Sequence, residues 1–224
     1  MNTIPKSHVL DAVGCLKLRP RARALLSILC STALAVGFTG CSFLKPAKST
    51  TRYYVLTPIT ATQSGPGSVA LGLGQIKLPP YLFNTSLAVR KGTNQVQYLE
   101  SELWAERLEA SFQRVLAADL ATTLPAEQVR LSAWRSEDVA AEVYVAVEQF
   151  DVDADGQGVL TAQWRILSPG GEKVLKSGGS RLSRQGPSPE PSASGAVATL
   201  SELVADLSRQ LVQALKETPL ATGK

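Results

Sequence analysis

Val143-Tyr144-Val145-Ala146-Val147-Glu148-Gln149-Phe150 sets valines against other side chains at every second position before closing on Phe150. A period of two marks a strand with one face in a core and the other towards solvent. The spacing predicts a strand over residues 141–153. Two more are expected after it, over 158–167 and 173–182, the second following the turn Ser168-Pro169-Gly170-Gly171. Before it, strands are expected over 52–56, 69–77 (loosened by Gly72 and Gly74) and 129–134. A hairpin of 87–91 and 95–99 turns at Gly92-Thr93-Asn94.

Two stretches keep a different period. Trp104, Leu108, Phe112, Val115, Leu116 and Leu120 recur at three and four, which predicts an amphipathic helix from Ser101 to about residue 124, stopped by Pro125. Ser101 is the expected N-cap, with Glu102 and Glu106 in the first turn. After a Pro-rich loop over 183–194, Leu200, Leu203, Val204, Leu207, Leu211 and Leu215 draw a second apolar face over 195–217. Its polar face mixes Glu202, Asp206, Arg209, Lys216 and Glu217, which favours packing on the chain's own sheet over lying on a membrane. The expected fold is a single α/β (α+β) domain: a mixed, mostly antiparallel sheet with two amphipathic helices packed on it.

The N-terminal end obeys other rules. Residues 1–23 are basic, with Lys6, Lys17, Arg19, Arg21 and Arg23 against Asp11, and residues 24–38 carry no charge. Fifteen apolar residues are short of the roughly 20 that a bilayer span needs, and behind positive charges they read as a signal-peptide core. Small Thr39 and Gly40 then precede Cys41, and this Phe38-Thr39-Gly40-Cys41 stretch resembles a bacterial lipobox. The resemblance implies a lipoprotein signal peptide over 1–40 and a lipidated tether over 41–51, ahead of a domain over 52–217 and a tail over 218–224.

Removing residues 1–40 would take 5 of the 23 Lys and Arg and 1 of the 19 Asp and Glu, leaving 18 of each sign. No net basic field would remain to draw nucleic acid. The sole histidine, His8, and two of the three cysteines, Cys15 and Cys30, also lie in that segment. Residues 41–224 therefore cannot build a His-based triad, a Cys–His pair or a His/Cys zinc site. No cofactor is expected beyond a covalent lipid on Cys41.

Several motifs read better as structure than as chemistry. Asp151-Val152-Asp153-Ala154-Asp155-Gly156 matches the first half of a calcium loop, but the twelfth position is Ala162 where Glu is needed, and strands flank it where helices should. A hairpin turn at Asp155-Gly156 accounts for it. Glu102, Glu106 and Glu109, with Glu100 just before them, suggest paired catalytic carboxylates. On the expected helix, however, they form a solvated stripe lacking the desolvation that general-acid work requires. Gly72-Leu73-Gly74 lacks the third glycine of a dinucleotide loop and precedes prolines, not a helix. Trp104, Trp134 and Trp164 are expected as core anchors, since no basic cluster surrounds them.

With Phe38-Thr39-Gly40-Cys41, Arg52-Tyr53-Tyr54-Val55-Leu56, Ile76-Lys77-Leu78-Pro79-Pro80-Tyr81-Leu82, Leu87-Ala88-Val89-Arg90, Glu102-Leu103-Trp104-Ala105-Glu106-Arg107-Leu108, Phe112-Gln113-Arg114-Val115-Leu116 and Ala162-Gln163-Trp164 resemble, in order, the ABC-type transport auxiliary lipoproteins (the PqiC or YmbA family). The resemblance implies a non-catalytic outer-membrane lipoprotein, acylated at Cys41. Its implied partner is an inner-membrane protein with MCE domains, in a system that moves lipid between membranes and maintains envelope integrity. Ser42 after the cysteine implies outer-membrane sorting, and a homo-oligomer is compatible with the resemblance.

Ten tether residues reach at most about 33 Å, so the partner must approach the anchored domain. Pro79, Pro80, Tyr81, Leu82 and Phe83 are the candidate contact, as an apolar Pro-rich loop has few other reasons to be exposed. Equally, Tyr81, Leu82 and Phe83 could fold back into the core. Two rival functions stand beside docking: assistance to outer-membrane protein or lipopolysaccharide assembly, and a periplasmic hydrolase using Ser with Lys or carboxylates.

Overall fold

The computed structural model describes residues 50–59, 69–124, 126–131 and 134–219, which belong to one compact unit. Cys41 and the expected leader lie outside them. Eight strands form one mixed sheet: β1 (Arg52–Tyr54), β2 (Val69–Leu73), β3 (Ser86–Lys91), β4 (Gln95–Trp104), β5 (Ala126–Arg130), β6 (Ala141–Asp153), β7 (Gln157–Leu167) and β8 (Val174–Gln185). Two helices, α1 (Leu108–Thr123) and α2 (Ser194–Lys216), pack on each other, and α2 lies against β6, β7 and β8. The expected α+β architecture is the observed one.

The strand that the alternating valines predict organises the sheet. One edge of β6 pairs antiparallel with β7, from Glu142 opposite Leu167 to Val152 opposite Gly158, and β7 pairs antiparallel with β8. The other edge holds two parallel partners in succession. Leu71–Leu73 of β2 lie opposite Ala141–Val143, Lys77 makes an isolated bridge to Ala146, and Val89 and Arg90 of β3 lie opposite Val152 and Asp153. Thirteen residues make β6 long enough to carry both. Beyond the fork, β2 pairs with β5, β3 with β4 antiparallel, and β4 with β1 parallel.

Val143, Val145, Val147, Phe150 and Val152 turn inwards from β6 to meet α1 and α2. Phe112 of α1 meets Phe150 edge-on, with ring centroids 5.1 Å apart. Leu200, Leu203, Leu207, Leu211 and Leu215 of α2 are all buried, each worth about 2 kcal/mol against an exposed position. At the β6–β7 turn, Asp153 Oδ1 accepts from the amides of Asp155 and Gln157, and Gly156 adopts φ 88°, a conformation that favours glycine.

The first helix begins seven residues later than its periodicity suggests. Residues 101–104 belong to β4, with Glu102, Leu103 and Trp104 opposite Arg52, Tyr53 and Tyr54. The four-residue step from Trp104 to Leu108 continues the helical stripe by coincidence, because cross-strand pairing on both sides fixes 101–104 as extended. Ser101 is therefore no N-cap; Arg107 occupies that position without a side-chain cap. The other strand limits shift modestly. β1 ends at Tyr54, β2 at Leu73 and β5 at Arg130, while β8 runs to Gln185 into the expected loop. That loop is not wholly exposed, since Pro189 and Ala193 are buried. Trp104 and Trp164 are core residues. Trp134 is half-buried, lies over Gly72 and donates from Nε1 to Glu142 Oε1 at 3.1 Å.

Candidate functional site

Between the two strands that share one edge of β6, the chain leaves the sheet and returns. Leu78 is buried, Pro79 and Pro80 remove two backbone donors, and residues Pro80–Phe83 close a single 3-10 turn through Leu82 N donating to Pro79 O at 3.0 Å. Three successive side chains then go three ways. Leu82 enters the core, Tyr81 lies half-buried against β6, and Phe83 is 58% exposed.

Tyr81 is locked from every side. Its hydroxyl donates to Asp151 Oδ2 at 2.8 Å and accepts from Phe150 N at 3.2 Å, while Tyr98 Oη donates to the Tyr81 carbonyl at 2.9 Å. Burial pushes the Tyr81 phenol up to about 12. Asp151, 2% exposed, also accepts from Gln149 Nε2 at 2.9 Å and from Arg90, whose Nε and Nη2 lie 3.0 and 2.5 Å from its oxygens. The Arg90 guanidinium carbon stands 5.9 Å from the Tyr81 ring centre. A buried carboxylate with this many donors is satisfied. Asp151 therefore holds the loop, and the first carboxylate of the apparent calcium motif has a structural assignment.

Phe83 borders a groove of about 530 Å³ whose apolar wall is Leu82, Trp104, Ala105 and Leu108. Asn84 Oδ1 accepts from Ser86 N at 2.9 Å, and Trp104 N donates to Thr85 O at 2.8 Å, so the turn is pinned on its far side too. The five candidate contacts thus separate: Pro80 and Phe83 are exposed, Pro79 and Tyr81 are half-buried, and Leu82 is inside.

A second buried carboxylate fixes the start of the domain. Glu102 is not on the solvated stripe that the helical reading gives it; it sits in β4, 4% exposed. Arg52 pairs with it through Nε at 2.8 Å and through Nη2, Tyr54 Oη donates at 2.5 Å, and Ala193 N at 3.4 Å. Burial works against its charge, yet these donors together hold it below the usual carboxylate range. The segment after β1 is fastened across both helices. Leu56 N donates to Ser111 Oγ, Thr57 N to Ser201 Oγ and Ile59 N to Asp119 Oδ1, at 3.3, 3.2 and 2.8 Å. The partners lie between 55 and 144 positions apart, so no local pattern could have revealed them.

Among the described residues no helix is long and apolar enough to cross a membrane. The site offers a pinned turn carrying one exposed aromatic ring beside an apolar groove.

The profile of the ABC-type transport auxiliary lipoprotein component family matches residues 54–212, and the chain belongs to that family. Its members are lipoprotein components of transport systems, so an auxiliary, membrane-anchored role follows for this chain. A crystal structure of an uncharacterised protein is similar over 74% of this chain and 98% of its own, with a TM-score of 0.63 at 20% identity. The crystal structure of protein XCC0632 from Xanthomonas campestris is similar over 74% of this chain and 97% of its own, with a TM-score of 0.57 at 13% identity. At these identities the likeness is one of fold. A search of curated proteins by sequence found no match.

Proposed function

We propose that this chain is the non-catalytic docking subunit of an intermembrane lipid transport system. Acylated at Cys41, it stands on the periplasmic face of the outer membrane and receives an inner-membrane-anchored MCE-domain protein. The observation that carries the reading is Phe83, exposed over an apolar groove on a turn that Tyr81 and Asp151 hold rigid. An exposed aromatic beside an apolar recess is the usual anchor of a protein interface. The absence of His from residues 41–224 supports an auxiliary rather than an enzymatic role.

The anchor and the turn make separate demands. Two or more acyl chains give stable attachment where one gives only marginal binding. A tether of at most about 33 Å keeps the domain near that membrane, so the partner spans the remaining distance. A photo-crosslinking amino acid at position 83, in cells carrying the full chain, tests the reading. Capture of an MCE-domain protein is the expected result. Capture of an outer-membrane barrel would favour the assembly role instead, and labelling of a serine by a phosphonate probe would favour a hydrolase.

A further inference from the structure

Two arginines stand apart from the rest. Arg52, Arg90, Arg107, Arg114, Arg130, Arg135, Arg184 and Arg209 all make ion pairs, whereas Arg165 and Arg181 make none among the described residues. Both are exposed, and both rise from the sheet face that the helices leave open. The register shows this directly. Arg165 lies opposite Tyr144 and Ser177, and Arg181 lies opposite Thr161, on the face away from buried Ala162, Trp164 and Ile166. Lys77 joins them on that face, through its bridge to Ala146, and it too is exposed and unpaired among the described residues.

Between these cations the sheet is hollow. Ala146, Gln163 and Gly179 form one row across β6, β7 and β8, in line with Lys77. Ala146 and Gly179 floor a groove of about 780 Å³, with the Gln163 amide lying over Gly179, Tyr144, Gln75 and Ser177 as walls, and Lys77 and Arg165 on its rim. A Cβ at Gly179 would come within 3.0 Å of the Gln163 amide, so a larger residue there would push that amide aside. Adjacent strands lie about 4.8 Å apart, which puts the Lys77 and Arg165 backbones about 12 Å from each other, close enough for both side chains to reach one anion. No carboxylate neutralises them from the groove. Glu142 on the same face is occupied by Trp134 Nε1, Tyr144 Oη and the Gly170 amide, and Glu148, at the irregularity in β6, is not part of the lining.

We infer that this groove binds the phosphate of an anionic phospholipid headgroup, held between Lys77 and Arg165. Guanidinium and ammonium groups together suit a phosphate. The hollow exceeds what an inorganic ion would occupy, and the Tyr144 ring and the Ala146–Gly179 floor offer carbon surface to the glycerol and the first acyl carbons. The inference does not depend on the docking turn and goes beyond it, since it gives the subunit a lipid contact of its own.

Trp164 turns its indole to the opposite face, where Nε1 donates to Ser180 Oγ, so binding is read by isothermal titration calorimetry. The full chain, in a non-ionic detergent, is titrated with dihexanoylphosphatidylglycerol, dihexanoylphosphatidylcholine and inorganic phosphate. Saturable binding of the phosphatidylglycerol is expected, at least tenfold weaker in Lys77→Glu/Arg165→Glu and unchanged in the distant Lys216→Glu. If the double variant loses its cooperative melt by circular dichroism, Lys77→Gln/Arg165→Gln makes the same comparison without reversed charges. Equal affinity in wild type and variant, equal binding of phosphatidylcholine, or no saturable binding would overturn the proposal. Displacement by inorganic phosphate at matching concentration would overturn the lipid assignment and leave a free phosphate as the ligand.

Discussion

The Tyr81 hydroxyl and Asp151 Oδ2 stand 2.8 Å apart across 70 positions of sequence, and through that bond a surface turn is fastened to the central strand of the sheet. Tyr81→Phe removes two hydrogen bonds, the one given to Asp151 and the one accepted from Phe150 N, costing about 1–2 kcal/mol. Asp151→Ala is worse, because Arg90 then loses its partner in a part-buried site, and about 3 kcal/mol should be lost. Urea denaturation of the two variants should place them in that order. Equal losses would mean that Arg90 contributes nothing to the lock.

Phe83 should behave in the opposite sense. With more than half its surface already in water, Phe83→Ser should change stability by no more than about 0.5 kcal/mol. The same substitution should abolish partner capture from position 83's neighbours, measured by cross-linking at Pro80. A folded variant that still captures its partner in full would remove the turn from the interface.

Glu102→Ala should release the start of the domain. It strips the acceptor from Tyr54, Ala193 N and Arg52 at a position only 4% exposed, at a cost of about 2–3 kcal/mol. Limited proteolysis should then cut near β1 well before the rest of the sheet. Uniform resistance across the domain would contradict this.

Asp119 introduces a pH dependence. It is fully buried on α1, and burial raises its carboxyl to about 6 from an ordinary value of 3.8. The folded chain therefore binds more protons than the unfolded chain between pH 3.8 and about 6. Stability from this group falls as pH rises through that window and is level above it. Asp119→Asn keeps an acceptor for Ile59 N without the charge. Between pH 4 and pH 7 the wild type should lose on the order of 2 kcal/mol relative to the variant, read from denaturation at each pH. Parallel curves would show that the carboxyl titrates normally.

Gly156→Ala tests the β6–β7 turn. Beyond its left-handed backbone, an added Cβ would meet the carbonyl oxygens of Gly186 and Pro187 at 2.4 Å, and backbone cannot yield as a side chain can. The loss should exceed about 1 kcal/mol, with a matching fall in melting temperature. A neutral outcome would mean that the Pro-rich segment moves aside.

Periodicity made β6, α2 and most of the sheet legible, because each buries one regular face and the pattern is local. It misled at Trp104, where a strand ending in a buried aromatic runs into a helix whose first buried residue, Leu108, happens to fall four positions later. It was silent on Glu102 and Asp151. In sequence Glu102 sits in a stripe that reads as solvated and Asp151 in a run that reads as a hairpin turn, and only the return of Arg52, Tyr54, Arg90 and Tyr81 from distant positions shows them to be buried and paired. The Pro-rich turn was recognisable as irregular, but composition cannot say which of Tyr81, Leu82 and Phe83 faces inwards. That depends on the register of β3 against the end of β6, set by residues far away.

The fork at β6 gives the excursion between Lys77 and Ser86 an unusual independence. Because β2 and β3 are each registered on the same strand, neither ladder relies on the length of chain that joins them. A change in the length or side chains of the tip therefore leaves the alignment of both ladders in place. The turn is a replaceable fitting on a fixed mount.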